Sequence, residues 1–205
     1  MTATGKNNTA LGWGAMINNT TGCRNTSSGY ATLYDNTTGH SNVANGDLAL
    51  RNNTTGEENV ALGSNAMLEN TTGARNVAIG RRALQENTTA ENNTAVGNSA
   101  MQNNTTGAGN VAVGALALDA QTTGSHSVAL GYGALGANTT ANYNVAVGRN
   151  SMAANTTGAK NVTVGGEALI ANTTGSNHVA IGYGTLAAVT TANDLTAIGR
   201  SALQA

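Results

Sequence analysis

Threonine stands at residue 4 and at every seventeenth residue after it up to Thr191, without one insertion or deletion in the 205-residue chain. Eleven full units fill 4–190, and a twelfth, two residues short, runs to Ala205. A fixed period of this kind makes the chain a stack of like units before any single residue is considered. The unit reads T-G-x-x-N-V-A-V-G-x-x-A-L-x-x-N-T, and its places are numbered from that first Thr. Position 9 is Gly in all twelve units, position 13 is always Leu or Met, and positions 1 and 17 are Thr. Position 6 is Val or Thr, position 7 nearly always Ala, and position 8 aliphatic except at Ser28 and Asn45. Positions 3, 4, 10, 11, 14 and 15 accept almost any residue, as solvent-facing places should.

The unit cannot be half of a helical repeat. It carries an invariant Gly at position 9 and Gly or Ala at position 2, and Gly costs ~1 kcal/mol in a helix interior. No stretch between glycines shows a 3.6-residue apolar stripe. Leucine-rich repeats need more leucine per unit, and calcium-binding nonapeptide repeats need a regular Asp that is missing. What remains is an all-β chain: one β-solenoid, a parallel β-roll or β-helix, of twelve coils over 4–205. Met1 to Ala3 then occupy the end of a preceding coil. Coils stack at ~4.8 Å, so the rod is roughly 55–60 Å long. Val-Ala-Val reads as a strand with positions 6 and 8 facing one way and position 7 the other. Gly at position 9 supplies a positive-φ corner. Positions 12 and 13 form a second inward segment, and Asn-Thr-Thr-Gly makes the remaining bend, with Asn side chains bonded along the rod.

Composition narrows the function classes. Charged residues are 9% of the chain and the formal net charge is −1, so no basic surface suggests nucleic acid. No apolar run approaches ~20 residues, so no membrane insertion is expected. The single Cys23 excludes an internal disulfide framework. The start, Met1-Thr-Ala-Thr-Gly-Lys6, lacks the regions of a signal peptide.

No catalytic, metal or cofactor site is expected. His40, His126 and His178 fall in coils three, eight and eleven, too far apart to share a ligand, and read as exposed. Glu57 and Glu58 are adjacent and face opposite sides of a strand; Arg81 and Arg82 make no phosphate groove; Cys23 has no nearby His. Two columns remain. Trp13, Tyr30, Tyr132 and Tyr183 all occupy position 10, a candidate ligand-contact column for glycan. That place also accepts Asp47, Ser64, Asn98 and Gly166, which fits a merely permissive surface. The Thr pair at positions 17 and 1 suggests ice-binding solenoids, but sequence neighbours face opposite sides, which favours a structural turn. Nine Asn-Thr-Thr copies match a glycosylation acceptor and are explained by the same turn.

The element Asn76-Val-Ala-Ile-Gly-Arg-Arg-Ala83 resembles the repeat of trimeric autotransporter adhesin heads. The full 17-residue unit with its Asn-Thr-Thr-Gly turn resembles repeats of phage tail fibres and similar surface proteins. The first resemblance implies a left-handed parallel roll wound three to a bundle, though the adhesin coil is shorter. Together they imply a structural rod of an extracellular, cell-surface or virion fibre, presenting a tip to a host glycan or receptor. An apolar strand on both faces also implies a lateral partner, because one lumen covers one side; Ala at position 7 is the face expected to need it. Uncapped ends suggest end-to-end stacking as an alternative.

Overall fold

The computed structural model describes residues 5–204, so the expectation for Met1 to Ala3 lies outside the described residues. Every regular element is a three-residue strand: β1 (Thr9–Leu11), β2 (Thr26–Ser28), β3 (Val43–Asn45), β4 (Val60–Leu62), β5 (Val77–Ile79), β6 (Thr94–Val96), β7 (Val111–Val113), β8 (Val128–Leu130), β9 (Val145–Val147), β10 (Val162–Val164), β11 (Val179–Ile181) and β12 (Thr196–Ile198). They form one parallel sheet in chain order. Each residue pairs with the one 17 later, as Val60 with Val77 and Ala61 with Ala78. The fold is a β-solenoid, as the period requires.

The strand faces are reversed from the expectation. Ala at position 7 fills the lumen, with Ala44, Ala61, Ala78, Ala95, Ala112, Ala129, Ala146 and Ala180 wholly buried. They pack on Ala at position 12 and on Leu or Met at position 13. Val at position 6 and the aliphatics at position 8 point outward, with Val164 still 41% exposed. A period of two says which residues share a face and not which face is inside. Size decides it: two facing Ala columns leave room for one Leu per coil, whereas two Val columns would overfill so narrow a tube.

The backbone turns through the left-handed region four times per coil. Position 9 is Gly with φ between +123° and +141°. A Cβ on Gly131 would lie 2.6 Å from the carbonyl oxygen of Gly148 in the next coil, so the corner excludes every side chain. Positions 4, 11 and 13 also have positive φ in every coil, as at Glu58 (57°), Asn65 (58°) and Met67 (51°). Positions 4 and 11 are therefore restricted, and the reading of them as free places is corrected. None of these three positions carries Val, Ile or Thr in any coil. Branching at Cβ makes this conformation most costly, whereas Leu and Met reach it for ~1–2 kcal/mol. Full burial of that side chain contributes ~1.5–3 kcal/mol. The N–H at position 13 also finds a partner, as Leu50 N donates to Ala66 O at 3.0 Å. Hence only Leu and Met occupy position 13.

Two buried asparagine columns satisfy the turns. At position 16, Asn53 Nδ2 donates to Asn36 Oδ1 (2.8 Å) and to Gly56 O (3.0 Å). At position 5, Asn42 N donates to Asn25 Oδ1 (2.9 Å) while Asn42 Nδ2 donates to the same Gly56 O (2.8 Å). Thr at position 17 is also structural, since Thr54 Oγ1 donates to Thr71 O at 3.0 Å. Thr at position 1, as Thr55, is exposed. Buried amides with every donor placed stabilise by ~1 kcal/mol per bond and cost more when orphaned.

Candidate aromatic site

Position 10 follows the glycine corner and stands at an outer edge of the coil, which is why its side chains project. The column does not act as one unit. Trp13 and Tyr30 lie in neighbouring coils with ring centroids 4.9 Å apart and planes 11° apart. Tyr34, from position 14 of the second coil, joins them at 6.5 Å and 25° from Trp13. Trp13 is 65% and Tyr30 53% exposed, while Tyr34 is half-buried. Tyr34 was missed in the sequence because it belongs to another column; its signal was an aromatic one turn around the coil from Trp13.

The cluster is built into its surroundings. Gly14 leaves the space that Tyr34 fills, since a Cβ there would meet the Tyr34 ring at 3.1 Å. The Arg51 guanidinium stands 5.3 Å from the centre of the Tyr34 ring. Arg51 Nη1 also lies 4.0 Å from Asp35 Oδ2, and Asn18 Nδ2 donates to Asp35 Oδ1 at 3.1 Å. A carboxylate, a guanidinium and an amide therefore border the rings.

Tyr132 and Tyr183 stand elsewhere, three coils apart, and neither ring stacks on another among the described residues. Tyr183 donates its hydroxyl to Glu167 Oε2 at 2.9 Å. That bond, with the Glu167 charge, holds the phenol above its ordinary pKa.

The remaining candidates stay dispersed. His40 pairs with Glu57, and His126 stacks on Tyr143 at 5.3 Å. His178 corrects the exposed reading: it replaces Asn at position 5, is fully buried, and its Nδ1 accepts the Leu195 N–H at 3.3 Å as an Asn oxygen would. Arg81 is exposed, and Cys23 is a free, half-buried thiol. Among the described residues no three His, Cys, Asp or Glu side chains are placed to hold a metal ion. The Asn at position 16 of the Asn-Thr-Thr turns is fully buried in eight of the nine copies, including Asn36, Asn87 and Asn172, with their amide nitrogens facing the lumen, while Asn19 is half-buried. No family model, curated protein or solved structure matches the chain.

Proposed function

We propose that this chain is a shaft: a structural rod segment of an extracellular or virion fibre, of the tail-fibre or surface-adhesin kind, that spaces or presents a binding tip. The observation that carries this reading is the unbroken register, one 17-residue step repeated through twelve strands with no loop inserted anywhere. A chain selected to build a pocket breaks its repeat to bring different groups together; a chain selected for length and stiffness keeps it.

The shaft reading includes association with further copies of the chain, three around an axis as the adhesin resemblance implies. From β4 to β11 the outward places hold Val, Leu or Ile at every site but Thr94. At ~4.8 Å per coil this is an uncharged strip nearly 40 Å long. Apolar patches of a few hundred Å2 on soluble proteins mark interaction sites. A second copy offers the same strip with the same step, so every coil meets an equivalent coil. Sedimentation and electron microscopy test the reading together. The expected result is a mass that is a multiple of 20.4 kDa in straight particles of about 55 Å or longer. A 20.4 kDa species in compact particles overturns it.

A further inference from the structure

We propose that the threonine pairs from Thr122 and Thr123 to Thr190 and Thr191 form an ice-binding face. Position 1 is Thr in all twelve units and is exposed at every copy from Thr21 to Thr191. The other invariant places have internal duties: position 9 turns the corner, position 13 fills the tube and position 17 bonds the next coil. Among the described residues no hydroxyl at position 1 donates to a protein group, whereas the Thr54 hydroxyl at position 17 donates to Thr71 O. Exposed places such as 10 and 14 vary freely between coils. A fixed, exposed residue with no internal duty points to a ligand outside the chain.

The ladder is stiff and periodic, and so is the surface it fits. Thr156 N and Thr157 N both donate to Thr173 O, at 2.9 and 3.2 Å, and Thr156 Oγ1 donates to the same oxygen at 2.9 Å. Each pair is thus held to the next coil, and branching at Cβ restricts χ1 of the exposed threonine. Successive pairs stand ~4.8 Å apart. Oxygen atoms in the basal plane of ice repeat at nearly the same distance, so a row of hydroxyls can bond to a row of lattice waters. Threonine suits this role where Ser or Val does not. Its hydroxyl joins the hydrogen-bond network, and its methyl orders the water around it.

The flanks place the face in the later coils. Position 15 is Ala from Ala120 to Ala188, and position 3 after each pair is Ser, Asn or Ala, as at Ser125, Asn142 and Ala159. In earlier coils the same flanks carry Asp35, His40, Glu57, Glu69 and Glu86. Charged groups orient their own hydration water and reach beyond a threonine, which keeps a flat crystal away. Position 4 borders the face with the exposed Tyr143 and Lys160.

The inference does not depend on the shaft reading, because the aliphatic strip lies at positions 6 and 8 and a monomer could carry the threonine face as well. The full-length chain is mixed with an inert protein of similar size, and ice is grown slowly from the solution on a cold finger. The expected result is that the chain concentrates in the ice while the reference protein stays in the liquid. Single ice crystals grown in its presence take on facets. Thr157→Lys, at the centre of the face, and Thr140→Lys each abolish both effects at an unchanged melting temperature. Thr157→Ser, which removes one methyl and keeps the fold, weakens the enrichment. Thr55→Lys, in the charged coils, leaves it as it was. Equal partition of the parent and the reference protein overturns the proposal, as does undiminished enrichment of Thr157→Lys or an equal loss from Thr55→Lys. If the parent is not enriched and Thr157→Lys lowers its sedimentation mass, the ladder is a contact between copies and the proposal fails.

Discussion

From β4 to β11 the outward places carry fifteen aliphatic side chains and one threonine, Thr94, whereas β2 and β3 carry Thr26, Ser28, Val43 and Asn45 there. The two regions share one backbone and one register. Their interiors do not follow that division: Ser27 and Thr32 form a buried hydroxyl pair in the second coil, and Ser151 and Thr163 form another within the aliphatic stretch, while the third coil has Ala44 and Ala49 inside. The coil therefore takes its shape from the places that turn the chain or fill the tube, and outward places can change chemistry without disturbing it. The aromatic cluster stands at the end where the aliphatic strip has stopped.

The largest expected effect breaks the frame that both regions share. Gly131→Val sets a β-branched residue at φ +138° against the Gly148 carbonyl, and about 3–5 kcal/mol of local destabilisation is expected. Arg81→Ala and Ser64→Ala, at position 10, leave the melting temperature within a degree or two by comparison. Leu84→Ile follows at about 2 kcal/mol or more. The swap conserves volume and ordinarily costs under ~1.5 kcal/mol, but here it forces Cβ branching at φ +51°. Equal melting temperatures for Leu84→Ile and Leu84→Met would remove the conformational account of position 13.

The next effect separates the regions. Val128→Glu with Val145→Glu places like charges on adjacent strands of the aliphatic strip, and is expected to yield a monomer by sedimentation with an unchanged circular dichroism spectrum. Ser28→Glu with Asn45→Glu is expected to leave the mass as it was. The same loss of association from both pairs would mean that the strip is not the interface.

The smallest effect repairs a fault. At position 16 of the seventh coil, Gln121 is one methylene too long. Its Nε2 reaches Gly124 O and leaves Asn104 Oδ1 buried without a partner. Gln121→Asn should close the column and raise stability by about 1 kcal/mol, read as a shift of a few degrees in thermal melting.

Coil length, the parallel sheet, the glycine corner and the bonded Asn turn were all legible in the residues, because each is fixed by what a place must contain. The corners at positions 4, 11 and 13 were written in what those places lack. Arg82, Ser99 and Leu116 have nothing in common as side chains, and their shared lack of Cβ branching is silent unless φ is already in mind. The inward turn of Ala78 rather than Val77 depends on the volume of the closed tube, a property of the stacked coils that no single unit states. His178 was misplaced for a related reason: its column, and not its titratable ring, determined its burial.

The column at position 16 has a direction. Asn36, Asn53, Asn70 and Asn87 each donate backward to the asparagine 17 residues earlier, and so each offers its own oxygen forward. A finished coil thus presents an acceptor in wait for chain that is not yet in place. On a ribosome, which supplies ~5–20 residues per second, a new coil emerges every second or few, and the coil before it is a ready template. Nearly all pairing reaches back a single coil, so the loop closed at each step is always the same short one. Such a register allows coils to be added in the order in which they are translated, each on the one before it.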